Sequence, residues 1–343
     1  MMRIIRWILL PFSLLYALIV WLRNRFYDIG ILKSQSFPLP IVVIGNLAVG
    51  GTGKSPMTEH ILRLISPLRN IAVLSRGYGR KTKGFRKVEV SSTAGEVGDE
   101  PLQIKRKFPQ NTVVVCEDRC TGIEKIRRKH EGILLDDAFQ HRKLRPSFSI
   151  LLFDFASLQH VILPLPTGNF RDCLHESKRA DLVVITKCPN KVDGDTRFQL
   201  QAKLHKYTQA PIFFSTIAYE NPINYRGEQL HLHELQQKGI LLITGIANPL
   251  PLLSHIEPMA SSLKHIAYPD HHAFSASDIE KIKHSYDIIP SDNKLILTTE
   301  KDFQRLPEEL KIQYPIFYVP IHQSFLFNQD SEFENMVKRA FSC

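Results

Sequence analysis

From Val42 to Pro56 the chain reads VVIGNLAVGGTGKSP, an apolar run that ends in a glycine-rich turn and Gly-Lys-Ser. These residue types suit a phosphate. Gly50, Gly51 and Gly53 let backbone N–H groups turn inward around anionic oxygens. Lys54 reaches the outer phosphates, and the Ser55 hydroxyl ligates magnesium. Val49 and Thr52 complete the loop, and Ala48 stands where the motif usually begins with Gly. Alanine is small enough to fit. A helix starting at Ser55 points its positive end at the anion. Nucleotide binding is the expectation.

Acidic residues supply the rest of such a site. GILLDDAFQHR sets Asp136 and Asp137 directly after a buried strand, where at least one carboxylate reaches a magnesium held by the loop. GEVGDEPLQIKRKFP carries Asp99 and Glu100, which read equally as a surface turn or as a carboxylate beside an acceptor hydroxyl. In YPDHHAFS, Asp270, His271 and His272 form a compact acid/base group. The same Asp-His-His marks a phosphoesterase family, but its further aspartate motifs are missing upstream. LPTGNFRDCLHESKRAD offers Arg171 and Asp172 to steady phosphate and metal.

The elements that position these residues follow from hydrophobic pattern. Apolar, β-branched runs at 40–46, 70–77, 111–118, 132–137, 148–154 and 180–187 predict strands covered on both faces of a parallel sheet. Residues 55–68 predict a helix with Met57, Ile61, Leu64, Ile65 and Leu68 on one face. Further strands are expected at 239–245, 294–302 and 315–320. The fold class is α/β: a P-loop NTPase-type parallel sheet domain, a second smaller α/β domain and an N-terminal membrane-associated helix. Ligands are expected at the carboxyl ends of the strands. The expected division is an anchor over 1–25, a nucleotide domain over 26–212, a polar linker over 213–235 and the second domain over 236–343. His231 and His233 in the linker read as a solvated strand, since no third metal ligand is near.

The chain opens with an apolar stretch from Trp7 to Leu22, flanked by Arg3, Arg6, Arg23 and Arg25. It is short for a relaxed membrane span, which needs roughly 20 residues. No small-x-small cleavage site follows, which disfavours a signal peptide. A buried helix is the plain alternative to a membrane anchor, spanning or interfacial. The formal charge of +10 favours anionic partners. Without a lysine-rich tail or an aromatic-basic signature, nucleic acid ranks lowest. Five cysteines without a CxxC fit a reducing cytosol, and Cys116 and Cys120 read as ordinary thiols.

Together these blocks resemble the tetraacyldisaccharide 4'-kinase family. The resemblance rests on GNLAVGGTGKSP, SRGYGR, GDEP, DDAFQHR, LPTGNFRD, RAD, GIANP, PDHHAF and TTEKD, in family order over nearly the whole chain. It implies ATP- and Mg²⁺-dependent phosphorylation of the 4'-hydroxyl of a tetraacyldisaccharide 1-phosphate, giving lipid IVA. It implies work at the cytoplasmic face of the inner membrane, with no obligate protein partner. It also implies that Asp99 is the catalytic base, paired with His271. Lys54 and Ser55 become loop ligands, Asp136 and Asp137 the metal-side acids, and Arg171 a family arginine. Asp172 stands where the family usually has Glu, which puts a direct metal contact there in question. The competing reading is a membrane-attached P-loop GTPase or metallochaperone, since Asn190–Asp193 spells a guanine-reading pattern. That pattern falls late after its strand, and the strand end itself reads Thr-Lys-x-Pro.

Overall fold

A computed structural model describes residues 9–270 and 272–342. Residues 1–8 of the expected anchor, and His271, lie outside the described residues. Two compact units divide the chain: residues 1–217 with 323–343, and residues 218–322.

The first unit begins with helix α1 (Leu10–Asp28), whose Pro11 sits in the first turn, where a missing N–H breaks no helical bond. Then come β1 (Ile41–Asn46), α2 (Lys54–Ile65), β2 (Ile71–Ser75), β3 (Arg86–Lys87) and α3 (Asp99–Lys107). They are followed by β4 (Thr112–Val115), α4 (Arg119–Ile126), β5 (Gly132–Leu135), β6 (Phe148–Asp154), β7 (Leu182–Thr186), α5 (Gly194–His205) and β8 (Ile212–Tyr219). The second unit holds β9 (Ile223–Asn224), β10 (Gly239–Thr244), β11 (Ser262–Ala267), α6 (Ala276–Asp287), β12 (Lys294–Thr299) and β13 (Ile316–Val319). The chain returns through β14 (Ile321–Phe325) and ends in α7 (Asp330–Ala340).

The larger sheet runs β14-β8-β7-β6-β1-β5-β2-β4-β3. Pairings from β8 to β4 are parallel, and β3 joins antiparallel at the edge. Val42 lies beside Leu134, and Val43 beside Leu135. Alternate residues face opposite sides, so two apolar layers form. Val43, Leu135, Leu151 and Phe214 fill one. Val42, Leu134, Ile61 and Phe333 fill the other. All six residues of β1 are buried, as a central parallel strand requires. The smaller sheet runs β11-β10-β12-β13-β9, parallel except at β9.

Three expectations change. The domain division at 213–235 and 236 is replaced: residues 212–219 are a strand of the larger sheet, and residues 323–343 belong to the first unit. The cause is apolar burial, because Phe333, Val337 and Phe341 of the C-terminal segment complete the first unit's core. Helix α2 stops at Ile65 rather than 68, ahead of Pro67, which cannot donate to a continuing helix. The run 294–302 is a strand only to Thr299, whose hydroxyl accepts from Asp302 N and caps a short helix, Glu300–Arg305.

Helix α1 is inverted relative to a soluble helix. Its polar Ser13 and Asn24 are buried, while Phe12, Leu14, Leu15, Leu18, Ile19, Trp21, Leu22 and Phe26 are exposed. Ser13 Oγ donates to Thr167 Oγ1 at 2.7 Å, and Asn24 Nδ2 to Asp172 Oδ1 at 2.9 Å. Tyr16 OH donates to the Arg171 carbonyl at 3.0 Å. Among the described residues, no helix is long and apolar enough to cross a membrane.

Candidate active site

The glycine-rich loop leaves the carboxyl end of β1 and enters α2. Gly50 and Gly53 take φ of 106° and 80°, a region that favours glycine. The loop is braced from outside. Val49 N donates to the Asn169 carbonyl at 2.8 Å, and Arg171 N to the Leu47 carbonyl at 2.9 Å. Thr186 Oγ1 donates to the Thr52 carbonyl at 2.8 Å, and Lys187 Nζ to the Gly51 carbonyl. Thus the strand-end Thr-Lys supports the loop, and Asp193 of the late guanine-like pattern caps α5 through Thr196 N instead.

Asp136 and Asp137 follow β5. A close approach fixes them: a Cβ on Gly45 would stand 2.8 Å from Phe139 N, so only glycine lets this segment lie on β1. Asp137 adopts φ 48°. Its Oδ1 accepts from Arg171 Nη2 at 2.5 Å and lies 3.8 Å from Lys54 Nζ. Arg171 Nη2 also donates to Asn46 Oδ1 at 2.6 Å. Burial opposes ionisation of Asp137, but Lys54 and Arg171 overcome it and hold the carboxyl below its ordinary range.

Asp136 is shifted the opposite way. It is 1% exposed, Thr58 Oγ1 donates to its Oδ1 at 3.4 Å, and its Oδ2 has no protein partner. Burial, then the charges of Glu100 and Asp137, push its pKa up to about 7.

Asp99 opens α3, with Glu100 beside it. Ser55 Oγ donates to Glu100 Oε1 at 3.0 Å. Glu100 was not singled out by the sequence reading as a ligand. The acid following the expected base, in a helix's first turn, was the available signal. Asp172 Oδ1 accepts from Asn24 Nδ2 of α1 and from Cys173 N, each at 2.9 Å. Its pKa is raised, by burial first and Glu176 second. A second cluster, Asp118, Cys120 and His141, has ligand-type atoms within 4.8 Å of one another. There the cation is already supplied, because Lys143 Nζ lies 2.6 Å from Asp118 Oδ2.

The candidate ligands Ser55, Glu100, Asp136 and Asp137 offer oxygen donors only, Ser55 is hydrogen-bonded to Glu100, and the buried Asp136 Oδ2 has no protein partner. Such a set fits a hard divalent ion, magnesium in particular.

Comparison with known proteins agrees with this geometry. The model of the tetraacyldisaccharide-1-P 4'-kinase family matches residues 5–342. This chain belongs to that family. A tetraacyldisaccharide 4'-kinase of Flavobacterium psychrophilum is 40% identical over 341 residues, covering 98% of this chain and 97% of that protein. One of Phocaeicola vulgatus is 38% identical over 350 residues, covering 98% and 95%. A crystal structure of LpxK from Aquifex aeolicus in complex with ATP superposes with a TM-score of 0.75 at 29% identity, covering 98% of this chain and 99% of that one. The family's activity is ATP-dependent phosphorylation of a lipid disaccharide, with magnesium as cofactor, in lipid A biosynthesis at a membrane.

Proposed function

We propose that this chain transfers the γ-phosphoryl group of ATP to the 4'-hydroxyl of a tetraacyldisaccharide 1-phosphate, with Asp99 as base and Lys54 as the phosphate-bound cation. The observation that carries the reading is the joining of Ser55 to Glu100 in the first turn of α3 and of Lys54 to Asp137 across the carboxyl ends of the adjacent strands β1 and β5. Asp99 accepts the hydroxyl proton as the sugar oxygen forms its bond to phosphorus. The bond from phosphorus to the bridging oxygen breaks, and ADP leaves. Lys54 neutralises charge on the phosphates, and the loop amides hold them in line. Ser55, Asp136, Asp137 and Glu100 would hold magnesium, which supplies positive charge beside the same phosphates. Arg171 fixes Asp137 and stands ready to meet phosphate. His271 enters as the partner of the base through the family resemblance.

Membrane attachment in this reading is interfacial. The exposed apolar face of α1 lies among the acyl chains while Ser13, Tyr16 and Asn24 hold the helix to the body. The side is the cytoplasmic face of the inner membrane, where ATP is available. Purified protein in mixed micelles, with γ-labelled ATP, magnesium and the disaccharide, is expected to label the lipid. Transfer should vanish in Lys54→Ala and fall by several orders of magnitude in Asp99→Ala, roughly the 10²–10⁴ of a lost general base. Normal turnover in Asp99→Ala defeats the base assignment. Hydrolysis without lipid labelling, or preference for GTP, favours a switch instead.

A further inference from the structure

Glu59 brings a carboxylate into the interior of the first unit, 3% exposed, four residues after Ser55 on α2. Two side chains of α3 meet it. Gln103 Nε2 donates to Oε1 at 3.0 Å, and Lys107 Nζ lies 2.6 Å from Oε2. Asp99, Gln103 and Lys107 are spaced four apart, so they share a stripe along α3. Ser55 and Glu59 share one along α2 in the same way. The two helices therefore meet through successive polar rungs: Ser55 to Glu100, then Glu59 to Gln103 and Lys107. Leu102 and Ile104 bury the apolar side of α3 in the core. Directional hydrogen bonds to a buried charge fix a register.

We propose that Glu59 is a positioning residue for phosphoryl transfer: it locks α3 to the P-loop helix and sets where Asp99 and Glu100 stand relative to Lys54 and Ser55. A buried ion pair is weak evidence for a stability role, because apolar replacements are often neutral. Placement of a base, in contrast, is sensitive to small shifts, and a 1 Å error costs about a hundredfold. This inference rests on the reading of Asp99 as base.

The test is steady-state kinetics of the full chain in micelles for Glu59→Gln, Glu59→Leu, Lys107→Met and the Glu59→Leu/Lys107→Met double variant. Nucleotide affinity and Tm are measured on the same samples, and rates are scaled to folded protein. Expected is a kcat lower by about tenfold or more, with ATP affinity within about twofold of wild type. Glu59→Gln, which keeps the bond to Gln103, should retain more turnover than Glu59→Leu. The double variant should be no slower than the worse single variant, because both break one lock. A kcat unchanged in folded variants overturns the inference, as does parallel loss of ATP affinity, which would indicate collapse of the loop. Asp99→Asn runs alongside. If it keeps full turnover, the base assignment fails. If it is inactive while the Glu59 variants are normal, the positioning role alone fails.

Discussion

At the scale of single residues, the site holds two neighbouring aspartates whose pKa values are shifted in opposite directions. Asp136, pushed up from 3.8 to about 7 by burial and by Glu100 and Asp137, holds its proton more tightly when folded. The sign follows. The folded state incurs no penalty below the unfolded value, loses stability as pH rises through that interval, and bears the full penalty above about 7. Asp136→Asn should therefore raise Tm in magnesium-free buffer at pH 8, by roughly 2–4 °C per kcal/mol recovered, and leave it nearly unchanged at pH 4. The same variant should lose most turnover. A thermal-shift series over pH, paired with the lipid-labelling assay, checks both halves. His141 provides the reverse case. Burial, then the Arg119 cation, lowers its pKa from 6.5 to about 4. Its contribution is present above 6.5 and lost as pH falls toward 4, so His141→Gln should flatten the decline of Tm across that window. The loop residues and the double aspartate were legible in the sequence because their spacing is itself the chemistry. Glu100 was not, because which of two adjacent acids turns toward Ser55 depends on helix phase and on the packing of α3.

Elements show why an apolar run can be read correctly and still mislead about its faces. The sequence marks α1 as apolar and membrane-seeking. Nothing in the sequence singles out Ser13 or Asn24. In the structure they are the docking face, and the leucines between them are the free one. Asn24→Ala removes a donor from the buried Asp172 and should cost about 1–3 kcal/mol, read as a lower denaturation midpoint. Leu15→Ser with Leu18→Ser should leave that midpoint in place and weaken co-sedimentation with anionic vesicles. If those two variants bind vesicles as wild type does, the apolar face is not the contact. Asp172 was expected near metal because a carboxylate beside Arg171 in a glycine-containing loop suits phosphate and metal. In the structure its Oδ1 accepts from Asn24 Nδ2 of α1 and from Cys173 N, while its buried Oδ2 has no protein partner.

For the whole molecule, the second unit interrupts the first: the chain leaves through β8 and returns through β14, which are neighbours in one sheet. Composition could not reveal this. Turn-rich residues after 219 signal irregular surface, but nothing local says that a strand more than a hundred positions later rejoins the first sheet. Phe325 and Phe333 stack at 4.2 Å and meet Phe213 edge-on, so the C-terminal segment is core rather than tail. Phe333→Ala should cost about 3–5 kcal/mol, and a chain ending at 322 should be recovered only in the insoluble fraction. Both outcomes are read by denaturation and by fractionation of expressed protein. The outward apolar face of α1 has a last consequence, and it is kinetic. An enzyme held at an interface meets its lipid in two dimensions, so the quantity that sets its rate is lipid per unit of surface and not lipid per litre. Adding empty detergent micelles at fixed total substrate should slow turnover by surface dilution, while the dependence on ATP, which arrives from bulk water, keeps the same half-saturating concentration.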